Sequence, residues 1–150
     1  MNSSSVPSRL KTITIVGSRE LDAVAVQLLD WMQAQDGYQV LLRCPNSGEA
    51  SMFEHIISLA CRRFNIPFGW MKPGVGGRAA VFNRDITMVG KSDLVLAFFL
   101  ADEMSGGTEH VVEKAIDQFV PVYSYGRRDS KLVLIGSHDP HGTWVGQEIV

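Results

Sequence analysis

The sequence lacks the marks of several large protein classes. It has two cysteines in 150 residues, Cys44 and Cys61, and no histidine cluster stands beside either. Disulfide scaffolds and zinc modules need more ligands than this, so we expect two reduced thiols. No apolar run is long enough to cross a bilayer, and the Ser-rich first residues lack the apolar core of a signal peptide. These absences predict a cytoplasmic protein without a membrane partner.

An excess of charge of either sign is also missing. The chain has 14 Lys and Arg residues against 16 Asp and Glu residues, a formal net charge of −2. This balance does not favour nucleic acid as a partner. Since no linker or repeat divides the chain, we expect one domain over residues 11–135. A disordered leader (1–10) and a C-terminal tail (136–150) are predicted to flank it.

Two phosphate-binding motifs are absent. The glycine-rich segment Lys72–Gly77 does not form a Walker motif, because it is followed directly by Arg78 and not by a Gly-Lys-Ser/Thr triplet, and no G-x-G-x-x-G follows the first predicted strand. A standard dinucleotide fingerprint is therefore excluded, and we expect no resident cofactor. The two histidines and one aspartate of the segment His138–His141 are too few to predict a metal site.

What the chain does contain is an alternation of strand and helix patterns. Apolar and β-branched runs predict strands at Thr12–Val16, Tyr38–Cys44, Asn65–Trp70, Asp93–Leu100, Val120–Tyr125 and Leu132–Ile135. Helical spacing predicts helices at Glu20–Ala34, Glu49–Phe64, Arg78–Val89 and Thr108–Phe119. In the third helix we expect Val81, Phe82 and Ile86 to face the core and Arg84 to lie at the surface. The alternation predicts an α/β fold, a single Rossmann-like domain whose mostly parallel sheet has helices on both faces.

Three loops of glycine with small polar or charged residues follow predicted strands. They are Gly17–Arg19, Asn46–Glu49 and Ser105–Glu109, the first, second and third loop. Ligands of open α/β sheets bind at the carboxyl ends of the strands, where glycine lets a ligand approach the backbone and hydroxyl or guanidinium groups bind phosphate. The plain alternative in each loop is an ordinary turn or a helix cap. Arg78 and Asn83 could reach the same pocket from their helix. The candidate ligand-binding residues are Gly17, Ser18, Arg19, Asn46, Ser47, Gly48, Arg78, Asn83, Gly106, Gly107 and Thr108.

Acidic residues near the third loop are candidate catalytic groups. Glu109 and Glu113 could act as a general base or contact a ribose hydroxyl if the protein is an enzyme, or they could simply complement a helix N-terminus. Glu49, Asp85 and Glu103 are further acids to consider. We expect His55 and His110 to be packing or surface residues of helices.

These loops, in this order, resemble the SLOG superfamily. The matching segments are V-G-S-R at Val16–Arg19, N-S-G-E-A-S at Asn46–Ser51, F-N-R-D-I-T-M-V-G-K-S-D-L-V-L-A-F at Phe82–Phe98, and S-G-G-T-E-H-V-V-E-K-A at Ser105–Ala115. This Rossmann-like group includes the Lonely Guy phosphoribohydrolases, DNA-processing A proteins and molybdenum-cofactor carrier proteins. The resemblance implies a homodimer or larger homo-oligomer. It also implies a pocket for a nucleotide or nucleotide-derived molecule, lined by Gly17, Ser18, Arg19, Gly48, Asn83, Gly106, Gly107 and Thr108.

The third loop departs from the catalytic motif of the Lonely Guy enzymes. Their P-G-G-x-G-T-x-x-E motif ends in a catalytic glutamate, whereas Val111 stands three residues after Thr108 here. Glu109 and Glu113 are out of register with it. We therefore expect a binding protein, a sensor, carrier or sequestering protein for a nucleotide-derived small molecule. The alternatives are a nucleotide N-glycosidase or phosphoribohydrolase that uses Glu109 or Glu113, and a structural or interaction domain.

Overall fold

A six-stranded sheet with two helices on each face forms the domain. The structure is a computed structural model that describes residues 10–18, 26–44, 52–104, 106–142, 144, 149 and 150. Its strands are β1 (Lys11–Gly17), β2 (Tyr38–Arg43), β3 (Phe68–Met71), β4 (Leu94–Phe98), β5 (Val122–Arg128) and β6 (Lys131–His138). Its helices are α1 (Val26–Ala34), α2 (Met52–Arg63), α3 (Gly77–Gly90) and α4 (Gly106–Asp117).

The strand order confirms the predicted α/β, Rossmann-like fold. The sheet runs β3-β2-β1-β4-β5-β6. The first five strands are parallel, and β6 pairs antiparallel with β5. The chain reverses its direction of travel across the sheet between β1 and β4, which makes the carboxyl ends of these two strands the switch point of the fold.

Two apolar cores hold the helices on the sheet. On one face, α1 and α2 contribute Leu28, Met32, Phe53 and Ile57, and on the other α3 and α4 contribute Met88, Val89, Val111 and Ala115. The central strand β4 is buried on both faces, as its continuous apolar run predicts. Full burial of each large apolar side chain stabilises the fold by about 1.5–3 kcal/mol.

The predicted core face of α3 is wrong. Phe82 is 41% exposed and Ile86 40% exposed, and Val81 is half-buried. Arg84 was expected at the surface, yet it is 7% exposed and its neighbour Asp85 3% exposed. The other buried residues of the helix are Ala80, Met88 and Val89. The helix is rotated because it buries a charged pair, which the apolar spacing does not reveal.

The C-terminal segment extends the domain beyond the predicted boundary at residue 136. Strand β6 continues to His138, and Ile149 is buried in the core beneath α1 and α2. The hydroxyl of Tyr123 lies 2.8 Å from Oδ2 of Asp139, which also accepts the backbone N–H of Trp144 at 2.8 Å. Strand β3 starts three residues later than predicted, after Asn65 at φ 58°. Within the described ranges, no helix has the length and apolar character to cross a membrane.

Candidate functional site

The carboxyl ends of β1 and β4 lie side by side at the switch point. Gly17, the last residue of β1, pairs in register with Phe98 of β4. The backbone N–H of Ser18 donates to the carbonyl oxygen of Phe98 at 3.0 Å, which fixes the start of the following loop. Two of the predicted ligand-binding residues, Gly17 and Ser18, therefore lie where the fold favours a ligand.

Arg43 joins four segments at this edge. It is the last residue of β2, so its side chain projects where the strand ends. Its Nε donates to Oε2 of Glu54 at 3.1 Å. Its Nη2 donates to the carbonyl oxygen of Gly17 at 2.7 Å and contacts Oγ1 of Thr108 at 3.3 Å. The planar guanidinium on β2 binds β1, α2 and α4. The relative positions of these four elements are therefore fixed before any ligand arrives.

Glu54 is the buried partner that holds Arg43 in place. Glu54 is 2% exposed and lies in the first turn of α2. A carboxylate is favoured there by the partial positive charge of the helix N-terminus. The Arg43 side chain is 15% exposed, so the ion pair is screened little by solvent.

The glycine turn, which we define as Gly106–Thr108, begins α4 beside this arginine. Gly106 has φ 73° and Gly107 has an ordinary backbone, and both residues are exposed. A Cβ on Gly106 would meet nothing within 4 Å, and one on Gly107 would lie 3.8 Å from Nη1 of Arg43. Thr108 is buried against the guanidinium. The backbone of the turn therefore faces open space at a helix N-terminus, the setting that suits an anion.

Gly17 has a packing role that the sequence did not reveal. A Cβ at this position would lie 2.6 Å from Cε2 of Phe53, whose ring is fully buried. Glycine therefore lets α2 pack closely on the end of β1. Its expected close approach to a ligand stays a prediction.

The loop that leads into α4 is fixed to β5. Oδ2 of Asp102 accepts from Nε and Nη2 of Arg128 at 2.9 and 2.6 Å, and this hydrogen bond lowers the pKa of the Asp102 carboxyl. A Cβ on Gly126 would lie 2.5 Å from the carbonyl oxygen of Ala101. The absence of a side chain there lets the loop cross β5 and bring the glycine turn to the sheet edge.

A second polar cluster, Arg84, Asp85 and His110, lies between α3 and α4. Nη1 of Arg84 donates to the carbonyl oxygen of Cys44 at 2.5 Å and to that of Met71 at 3.4 Å. These carbonyls stand at the ends of β2 and β3, where the buried arginine donates to the Cys44 carbonyl and adds a longer contact to the Met71 carbonyl, which also accepts the backbone N–H of Cys44 at 2.9 Å. Nε of Arg84 donates to Oδ1 of Asp85 at 2.8 Å.

His110 completes this cluster from α4. Its Nδ1 lies 3.0 Å from Oδ2 of Asp85. The ring of Phe82 stacks on the imidazole with 4.3 Å between centroids and 29° between planes. Asp85 was considered from the sequence only as one of several acids, and His110 as a packing or surface residue. Their pairing across 25 residues leaves no local sequence signal.

The remaining predicted site residues divide into two groups. Arg78 and Asn83 are exposed on α3, Glu109 is half-buried on α4 and Glu113 is exposed there. Arg19, Asn46, Ser47 and Gly48 lie outside the described residues. Arg43 and Glu54 were missed by the sequence analysis, although a charged residue that ends an apolar strand was a usable signal for Arg43. Among the described residues no group of three His, Cys, Asp or Glu side chains could hold a metal.

A groove of about 540 Å³ lies at the opposite, amino-terminal edge of the sheet. Its lining residues are Leu10, Lys11, Ser92, Asp93, Phe119, Val120, Pro121 and His141. We nevertheless assign the candidate site to the carboxyl edge, because the switch point and the polar clusters coincide there.

Comparison with known proteins does not assign the chain to a family. No protein-family model matches it, and no curated protein matches it either.

Proposed function

We propose that this protein binds a nucleotide-derived small molecule at the carboxyl edge of its sheet, as a sensor, carrier or sequestering protein. The observation that carries this proposal is the glycine turn beside Arg43 at the switch point. Gly106 and Gly107 are exposed and have no side chain that could cover the first backbone N–H groups of α4. These groups would bind the phosphate, which the partial positive charge of the helix N-terminus stabilises.

The polar network supports binding by a preformed site. Arg43 is held by Glu54, the Gly17 carbonyl and Thr108. A side chain fixed in this way loses little conformational entropy when a ligand arrives, which favours affinity. The charge of Glu54 offsets that of Arg43, so the attraction for an anion comes mainly from the helix N-terminus and from backbone donors.

The resemblance to the SLOG superfamily supports the same proposal. The segments that carry it include Gly17, Ser18 and the glycine turn, which the fold brings to one edge. Arg19 would add a guanidinium for phosphate. The same resemblance supports a homodimer or larger homo-oligomer, which light scattering after size-exclusion chromatography would measure. We also propose a cytoplasmic location, in keeping with the sparse, reduced cysteines.

A matched pair of glycine variants tests the proposal. A Cβ at Gly107 would meet only Nη1 of Arg43, at 3.8 Å, and one at Gly74 would meet nothing within 4 Å. Both Gly107→Ala and Gly74→Ala should therefore fold. We expect AMP to bind the wild type and Gly74→Ala equally, and Gly107→Ala at least about tenfold more weakly, because the methyl group blocks the phosphate. Isothermal titration calorimetry measures the three affinities, and equal AMP binding by Gly107→Ala would contradict the proposed site.

A further inference from the structure

The two ring nitrogens of His110 differ in their contacts within the described part of the chain. Nδ1 is bound to Asp85 at 3.0 Å, and Asp85 is in turn held by Arg84 at 2.8 Å. Among the described residues, none hydrogen-bonds Nε2. The side chain remains 19% exposed, while that of Asp85 is 4% exposed. Asp85 and the stacked Phe82 ring fix the plane of the imidazole, so the direction of the Nε2 lone pair or N–H is also fixed.

His110 lies one helical turn after the first residues of the glycine turn in α4. It follows Gly106 by four residues and Gly107 by three, so all three residues share one helix face. Side chains of a helix lean toward its N-terminus and cover the turn that precedes them. The two glycines have no side chains to fill that space. Of the two α4 side chains that carry nitrogen, His110 and Lys114, His110 is the one within a helical turn of the glycine turn.

The surrounding charges favour an anion on the protonated ring. The Arg84 charge from α3 balances that of Asp85, so protonation of His110 gives the three-residue cluster a net charge of +1. On α4, Glu109 is adjacent, while Glu113 and Lys114 lie one turn further along. Arg43 approaches the helix at Thr108 and is balanced by Glu54.

We propose that His110 is a phosphate contact of the site, donating from Nε2 as an imidazolium, and that it selects phosphomonoesters over uncharged nucleosides. This inference rests on the proposed function. A charge-assisted hydrogen bond to a phosphate oxygen is stronger than one to a neutral group. Because Nδ1 already faces the Asp85 carboxylate, a second donor at Nε2 requires the doubly protonated ring.

The test compares His110→Gln with His55→Gln, a change at an exposed histidine of α2. Calorimetric titrations use AMP and adenosine at pH 6.5 and pH 8. We expect His110→Gln to bind AMP about tenfold more weakly at pH 6.5, with adenosine binding unchanged and His55→Gln like the wild type. The ratio of the wild-type affinity for AMP to the affinity of His110→Gln should be larger at pH 6.5 than at pH 8. Because AMP itself takes up a proton in this range equally for both proteins, the ratio isolates His110.

The outcomes separate this inference from the proposed function. Wild-type AMP binding that His110→Gln retains at full strength at both pH values would overturn the role of His110 and leave the proposed function standing. Absence of AMP binding by the wild type would overturn both. If His110→Gln does not fold, NMR of the wild-type imidazole resonances tests the contact instead. Single Gln variants assign the other three histidines, and the remaining resonance is that of His110. AMP must then shift the resonance of His110, and an unchanged His110 resonance in a protein that binds AMP would contradict the contact.

Discussion

Arg43 and Thr108 meet across the carboxyl edge of the sheet, with 3.3 Å between Nη2 of the arginine and Oγ1 of the threonine. The two residues are 65 positions apart, at the end of β2 and the start of α4. The same guanidinium holds Glu54 and the carbonyl of Gly17. The site is therefore built around one side chain, and its geometry should depend on that side chain.

Replacing Arg43 should destabilise the fold. Arg43→Met would leave the carboxylate of Glu54 buried without its cation, and loss of one partner of a buried pair costs about 3–5 kcal/mol. Partial exposure of Arg43 places the expected loss at the lower end of this range, about 3 kcal/mol. Urea unfolding measures it, and Arg63→Met at the exposed end of α2 is the control, expected within about 0.5 kcal/mol of wild type. A loss below 1 kcal/mol for Arg43→Met would show that the pair contributes little.

Arg84 should be as important, although it resembles a surface residue in the sequence. Arg84→Met would remove the cation from buried Asp85 and the donor from the carbonyls of Cys44 and Met71. We expect a loss of about 3–5 kcal/mol in the free energy of unfolding. Arg78→Met, in the exposed first turn of the same helix, should change it by about 0.5 kcal/mol or less. Equal stability of the two variants would contradict the buried assignment of Arg84.

The sequence predicted the elements that depend on local apolar pattern and missed the pairs that depend on tertiary contact. The apolar run within the predicted strand Asp93–Leu100 indicated burial on both faces, because such burial needs apolar residues at successive positions. The same logic failed in α3, since Phe82 and Ile86 look like core residues and Arg84 looks like a surface residue. Burial of that arginine is favourable because it pairs with Asp85 and donates to the carbonyls at the ends of β2 and β3.

The candidate site was predictable in location and not in its polar connections. The sequence placed Gly17, Ser18 and the glycine turn at the carboxyl edge because their loops follow strands of a predicted parallel sheet. Arg43 and Glu54 are 11 residues apart, and Asp85 and His110 are 25 apart. Their pairing follows from how helices pack on the sheet, which no local spacing encodes.

The two cysteines should differ in reactivity. Burial raises the pKa of the Cys61 thiol from 9.0 to about 12, whereas Cys44 is half-buried. Because the thiolate is the reactive form, Cys44 should react first with a disulfide reagent at pH 8, and Cys61 only after unfolding. Time-resolved absorbance should show one fast thiol, which Cys44→Ser removes. Two thiols that react equally fast in the folded protein would contradict the burial of Cys61.

The same raised pKa has a consequence for stability. The folded state keeps the Cys61 thiol protonated at pH values where the unfolded chain ionises it. Its contribution is therefore fully present below about pH 9 and is lost as the pH rises toward about 12. Cys61→Ala should remove this part of the alkaline loss of stability, measured by unfolding at a series of alkaline pH values, whereas Cys44→Ala should not.

Backbone NMR is the most direct measurement of whether a nucleotide-derived ligand binds at the glycine turn of α4. Addition of AMP to ¹⁵N-labelled protein should shift the amide signals of Gly106, Gly107 and Thr108 most strongly, in a saturable manner. Shifts confined to the groove at the opposite edge, at residues such as Lys11, Asp93 and Phe119, would place the ligand elsewhere. Saturable shifts at that groove, or no shifts at the glycine turn, would contradict ligand binding at the glycine turn.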